Sequence, residues 1–252
     1  MGFGDEIMVT GQAKQYQAVD PRPIIVLDRH DRPRSHELWR GNPRIVSSYN
    51  DRDKVQFLKN GSHCRPYYDY RNYDEKRWVY TNWKCSPGEI YLTKSEREFG
   101  EKYKDYIIIE PHIKTRASPN KSWGFDRTQQ LIKILPQLRW AQLGPGHEAP
   151  LEGVEIIVTR DFRSACSIMS NAKAYVGPEG GLHHAAAVFN VPGVIIFGGM
   201  TSPNNTGYDC HINLVSDDDM TPCGWRIPCN HCKEAMSKFP PELVAEELRG
   251  IL

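Results

Sequence analysis

Residues 175–208 read YVGPEGGLHHAAAVFNVPGVIIFGGMTSPNNTGY, and the side chains able to do chemistry stand in the middle of that run. They are Glu179, His183 and His184, around the pair Gly180-Gly181. The alanines that follow read as a helix from 183 to 188 that packs closely on a sheet. Free backbone N–H groups at such a helix start point outward and favour anions, above all a diphosphate. Glu179, Gly180, Gly181 and His184 are therefore the candidate ligand residues. Neighbouring helical positions point about 100° apart, so His183 and His184 rarely share one metal ion. His184 is the one assigned to the site, and His183 is expected at the surface or in packing.

A second constellation comprises Cys210, Cys223, Cys229 and Cys232, with His211 and His231 nearby. Cys229-x-x-Cys232 has zinc spacing, and Cys223 lies a short way upstream. Two readings stay open: a structural zinc clamping a polar loop, or buried thiols pinning that loop to a closing helix. Asp51-Arg52-Asp53 and Asp217-Asp218-Asp219 might pass for carboxylate pairs that hold a divalent metal, but neither follows a convincing buried strand. Both read as solvated loops.

The elements that must position these groups alternate. Tyr175 and Val176 end an extended segment that Pro178-Glu179-Gly180-Gly181 cannot continue. Strands are expected at 107–109, 140–143, 155–158, 174–176 and 194–197, the last a fully buried run. Helices are expected at 127–138, 162–170 and 182–189. Such alternation implies a doubly wound parallel α/β sheet, whose ligands bind beyond the carboxyl ends of the strands. Upstream lie a helix at 6–17, a strand at 24–27 and a long stretch punctuated by Pro, Asn and Asp. Two lobes follow, residues 1–106 and 107–252. No repeat or low-complexity segment appears.

The run at 178–184 resembles the donor-binding segment of the ADP-heptose:lipopolysaccharide heptosyltransferase family, which carries Asp-Thr-Gly-x-x-His. Glu179 stands at the Asp position, Gly180 at the Thr, Gly181 at the Gly and His184 at the His. Gly2-Phe3-Gly4-Asp5 matches the family's Gly-x-Gly-Asp opening, and Lys121-Ser122-Trp123 its Lys-x-Trp. Cys232-Lys-Glu-Ala-Met and the helix expected at 242–252 resemble its cysteine-bearing loop and closing helix. The resemblance is weakest over residues 28–103. An apolar strand precedes the Gly-x-Gly-Asp opening in the family. Residue 1 leaves no room for it, so the first lobe is expected to be reduced or the natural start to lie upstream.

The resemblance implies a GT-B-like glycosyltransferase built from two Rossmann-type lobes, the first one reduced. A nucleotide-diphosphate sugar would bind residues 107–252 and an acceptor hydroxyl would enter from residues 1–106. Asp5 would be the general base, in a loop open to the cleft, and inversion at the anomeric carbon would follow. Lys121 and the N–H groups of Gly180 and Gly181 would stabilise the leaving diphosphate, so no catalytic metal is expected. Glu179 would hold the ribose. His184 would donate to a phosphate or brace the loop.

Composition agrees. The chain has 252 residues, 39% hydrophobic and 25% charged, ordinary for a globular protein. Neither a membrane span nor a signal peptide is apparent, and seven unevenly placed cysteines do not read as a secreted disulfide framework. A reducing cytoplasm fits. The net charge of +1 hides an asymmetry: residues 1–150 carry 25 Lys/Arg against 19 Asp/Glu, and residues 151–252 carry 7 against 12. The window 29–88 holds 13 basic and 7 acidic side chains. It also holds Trp39, Tyr49, Phe57, Tyr67, Tyr68, Tyr70, Tyr73, Trp78, Tyr80 and Trp83. Basic residues among aromatics suit a nucleic-acid strand. They suit sugar rings equally, or a half-buried irregular lobe with a solvated face. The acceptor is thus a saccharide, such as a lipopolysaccharide core sugar, or a hydroxymethylated base in DNA. A nucleotide-sugar epimerase and a non-catalytic nucleic-acid-binding module are further alternatives.

Overall fold

The computed structural model describes residues 2–70, 76–114, 116, 118–146 and 148–252, so Tyr73 lies outside the described residues. In chain order the elements are α1 (Phe3–Val19), β1 (Ile24–Leu27), β2 (Gln56–Lys59), α2 (Lys94–Glu101), β3 (Ile107–Ile109) and α3 (Phe125–Ile134). Then come β4 (Trp140–Gly144), β5 (Glu155–Val158), α4 (Phe162–Met169), β6 (Ala174–Pro178), α5 (Gly181–Val188) and β7 (Gly193–Gly198). The chain closes with α6 (Pro203–Thr206), β8 (His211–Val215), α7 (Asn230–Ser237) and α8 (Pro241–Ile251).

Six strands form one parallel sheet in the order β5-β4-β3-β6-β7-β8. Counted from β3, this is the doubly wound order 3-2-1-4-5-6, which reverses between β3 and β6. Alternate residues of each strand feed opposite faces, as the period of two requires. Ile108, Tyr175, Ile195 and Phe197 join one core with α4 and α5. Ile107, Ile109, Val176, Val194 and Ile196 join the other with α3 and α8. β3 and β7 are buried throughout, which is why they read as continuous apolar runs. β5 lies at the edge, and its Ile156 and Val158 are exposed.

The rest of the first lobe is small. β1 and β2 pair in parallel as a two-stranded sheet, and α1 packs on α5 and on the turn Glu37–Trp39. The Trp39 indole donates to the Glu6 carbonyl at 2.8 Å, and Arg34 pairs with Glu6 at 2.7 Å. Ile7, Val9, Ile24 and Val26 join the same core as Ile108 and Tyr175, so the two parts share one apolar interior.

Several expectations shift. α1 starts at Phe3, not residue 6, because the Gly2 N–H donates to Asp5 Oδ2 at 3.0 Å and closes a first turn. Asp5 is thus in a helix and not in a loop. β6 continues to Pro178, in register with Ile196. Alternate residues of a strand bond to the same neighbour, and the Val176 carbonyl accepts from Glu110 N on the β3 side. The missing donor of Pro178 faces that same side, past the end of β3, where it costs no ladder bond. α3 stops at Ile134, short of the expected 138, since Pro136 disfavours helix at Leu135. Residues 232–236 are helical, within α7, and not a loop. Asp217–Asp219 does follow a strand, β8; Asp217 is nevertheless fully exposed while Asp218 is tied into the loop.

Candidate active site

The carboxyl ends of β3, β4 and β6 open at the switch point into a cavity of about 570 Å³. Asp5, Lys121, Glu179, Gly180, Gly181 and His184 all line it. The structure therefore brings together every residue assigned to the site by motif, from segments far apart in the chain. It also adds Arg65, Glu110 and Glu148, which the sequence reading did not single out, and Tyr67 from the aromatic window.

Glu179 follows β6 directly and is buried. Its Oε2 accepts from Lys121 Nζ in a short contact, and its Oε1 lies 3.2 Å from His184 Nε2. Burial alone would raise the Glu179 carboxyl. The Lys121 charge and the His184 hydrogen bond outweigh it and hold the group well below the usual carboxylate range. His184 Nδ1 meets the Tyr208 hydroxyl at 2.7 Å. Both ring nitrogens of His184 are thus engaged by protein, which favours the bracing role. Glu179, His183 and His184 could together face a metal ion, their ligand atoms lying within 4.8 Å of one another. The Lys121 ammonium already sits on that carboxylate, and a second cation beside it would be repelled. His183 is in packing and not at the surface; burial, then His184 and His211, push its imidazole well below its ordinary value.

Gly180 precedes α5 in an extended conformation with open space where a Cβ would stand. Gly181 is different: a Cβ there would lie 3.0 Å from Phe162 and 3.3 Å from Phe3. Those two rings stack at 4.1 Å between centroids and form one wall of the cavity.

The Asp5 carboxylate is held by three donors. Tyr67 Oη donates to Oδ1 in a short contact, and Arg65 reaches Oδ2 at 3.0 Å alongside the Gly2 N–H. Burial raises the Tyr67 phenol well above its ordinary value, and the Asp5 carboxylate adds to the effect. Glu110, just past β3, is pushed up to about 8 by burial and then by the Glu148 carboxylate. It carries a proton at neutral pH and can donate a hydrogen bond into the cavity.

The aromatic window is largely spent on itself. Tyr67 and Tyr68 lie 4.2 Å apart, Tyr68 and Trp78 4.8 Å, and with Tyr80 and Trp83 they form one cluster. Of these, Tyr67, Tyr68 and Trp78 reach the cavity.

Cys223, Cys229, His231 and Cys232 converge, one ligand atom from each lying within 4.8 Å of the others, and could hold a metal. Cys210 does not belong with them. It packs beside Tyr208 in the aromatic cluster, and His231 takes its place. All seven cysteines are free thiols.

No protein-family model and no curated protein matches this chain. The glycosyl transferase family 9 structure from Veillonella parvula DSM 2008 matches with a TM-score of 0.67 at 12% identity, over 100% of this chain and 94% of that one. The fold is that of glycosyltransferase family 9 structures. The iron-containing dodecameric glycosyltransferase TibC from enterotoxigenic E. coli H10407 matches with a TM-score of 0.63 at 14% identity, over 100% and 76% of the two chains. E. coli ADP-heptose lps heptosyltransferase II matches with a TM-score of 0.49 at 19% identity, over 65% of this chain. The chain spans 53% of that protein's length. The sheet and the reduced first lobe thus agree with the GT-B-like expectation. The described residues contain no helix long and apolar enough to cross a membrane.

Proposed function

We propose that this chain is a glycosyltransferase that moves a sugar from a nucleotide-diphosphate sugar to an acceptor hydroxyl. The observation that carries the reading is that Asp5 and the Lys121–Glu179 pair line one cavity at the topological switch point. A base and a diphosphate clamp on one cavity are what the reaction needs. Lys121 has three ammonium donors and Glu179 engages one, which leaves donors for the diphosphate. The N–H groups at the start of α5 add a second anion contact. With the Lys121 cation and these dipoles in place, no divalent metal enters the transfer step.

Asp5 takes the proton of the acceptor hydroxyl, which displaces one of its present donors. Arg65 and Tyr67 orient the carboxylate until then. Glu179 positions Lys121, and His184 braces Glu179. Residues 1–106 supply the acceptor side and 107–252 the donor side. A structural zinc in the cysteine cluster completes this reading.

The acceptor is a saccharide. Tyr67, Tyr68 and Trp78 line the cavity, while the remaining aromatics of the cluster pack on one another and offer little to a nucleic-acid strand. ADP-heptose is the first donor to try, since the motif resemblance runs to enzymes that use it. A nucleotide-sugar panel assayed for nucleoside diphosphate release tests the whole. Steady release only in the presence of acceptor supports transfer, and its loss in Asp5→Asn with donor binding retained assigns the base. Sugar isomerisation would mean an epimerase. Salt-sensitive DNA binding with modification of hydroxymethylcytosine would move the acceptor to DNA.

A further inference from the structure

The cysteine cluster is joined to the cavity by backbone bonds that only a fixed segment 223–229 can make. The Asn120 side-chain amide donates to the carbonyls of Trp225 and Ile227, both at 2.7 Å, and its oxygen accepts the Cys229 N–H at 3.1 Å. Asn120 is buried, and Lys121 is the next residue in the same short turn Pro119–Lys121. From the other side, the Trp78 N–H donates to the Gly224 carbonyl at 2.9 Å, and Arg77 Nε donates to the Cys223 carbonyl at 2.8 Å. Trp78 lines the cavity, and the Lys121 ammonium lies 5.9 Å from its ring. One short segment therefore holds both Lys121 and Trp78.

What holds the segment itself is the convergence of three sulfurs and an imidazole. Cys223 Sγ and Cys232 Sγ are 3.0 Å apart, and both side chains are buried. His231 turns Nδ1 towards Cys232 Sγ at 3.8 Å, while its Nε2 is fixed by Asp218 Oδ1 at 2.7 Å. A carboxylate on the far nitrogen is the usual means of aiming a metal-binding histidine. Thiols that served only to fill space would not need it. Three sulfurs and one nitrogen whose ligand atoms converge to within 4.8 Å form a donor set that suits tetrahedral zinc.

We propose that Cys223, Cys229, Cys232 and His231 bind one zinc ion, and that this ion, through Asn120 and Trp78, sets Lys121 for the donor diphosphate. The second half rests on the glycosyltransferase reading; the first does not.

Elemental analysis of the full chain should find one zinc per molecule, and Cys229→Ser should lose it. Stripping the metal should raise amide hydrogen exchange in peptides covering 118–122 and 76–80. It should also weaken ADP binding by tenfold or more, with recovery on adding zinc back. Asn120→Ala supplies the independent arm: it should keep its zinc yet show the same exchange and affinity loss. Absence of zinc overturns the site, as does a thiol titration showing a Cys223–Cys232 disulfide. Unchanged exchange at 118–122 after stripping overturns the coupling even if zinc is present. If the zinc-loaded chain binds no nucleotide at all, the glycosyltransferase reading fails, while exchange still decides the coupling.

Discussion

A Cβ placed on Gly4 would lie 2.5 Å from Cδ2 of His184. This close approach lets α1 lie against α5 and brings the Asp5 carboxylate to the cavity that Glu179 also lines. It also gives the second glycine of the Gly-x-Gly-Asp opening a physical reason. Gly4→Ala should push the His184 ring away, loosen its bond to Glu179 and cost about 1–3 kcal/mol of stability, as overpacking does. Urea unfolding and ADP titration should both show the loss. Wild-type values in both would mean that the two helices tolerate separation.

Lys121→Ala removes the cation that keeps a buried carboxylate charged. Breaking such a pair costs roughly 3–5 kcal/mol near neutral pH, because the remaining charge is uncompensated. In the wild type the Glu179 carboxyl is depressed, so its contribution is present above the ordinary carboxylate range and lost as pH falls through its folded value. Without Lys121 burial is opposed mainly by the His184 hydrogen bond, and the carboxyl rises. The deficit of the variant should therefore shrink as pH falls from 7 towards 5. Denaturant unfolding at both values checks this, and a deficit that grows at pH 5 would refute it. The pair Lys121→Met with Glu179→Gln should recover much of the stability while diphosphate binding stays lost.

The sheet and its helices were legible because runs such as Ile107–Ile109 and the centre of β7 are buried on both faces. β8 escaped notice because His211 and Asn213 interrupt its apolar pattern. His211 Nε2 meets the Val191 carbonyl, and the Asn213 side-chain amide donates to the Tyr208 and His211 carbonyls. α2 is polar and reads as surface. It is held instead by Glu96, which takes the buried Arg163 in two bonds of 2.6 and 2.7 Å. Glu179, Lys121 and Asp5 were legible by motif. Glu110 was not, since its character comes from burial and from Glu148, and only the pairing of β3 with β4 brings those two acids together.

The two glycines before α5 should behave oppositely. Gly180→Thr meets open space in an extended conformation that any residue adopts, so stability should stay within about 0.5 kcal/mol of wild type. The added hydroxyl stands at the start of α5 beside the cavity and should tighten ADP binding. Gly181→Val would drive methyl groups between Phe162 and Phe3. It should part the stacked rings and cost about 1–3 kcal/mol. Thermal unfolding of both variants, with calorimetric ADP titration, separates them. Equal damage from the two would show that the turn needs flexibility and not space.

Glu110 sets the last prediction. Its carboxyl, ordinarily near 4.5, stands at about 8 in the folded chain. Between those values the folded state keeps a proton that the unfolded state has lost. Stability from this group is therefore full at low pH and falls as pH rises from 4.5 to about 8. Glu110→Gln has no proton to lose, so in denaturant unfolding it should gain on the wild type from pH 5 to about pH 8 and level off above that. Function should follow the same group. Once ionised, Glu110 sets a second negative charge beside Glu148 in the cavity proposed to take the diphosphate. ADP affinity in the wild type should fall several-fold between pH 7 and pH 9 and stay nearly level in Glu110→Gln. Parallel curves for the two proteins would place the titrating group elsewhere.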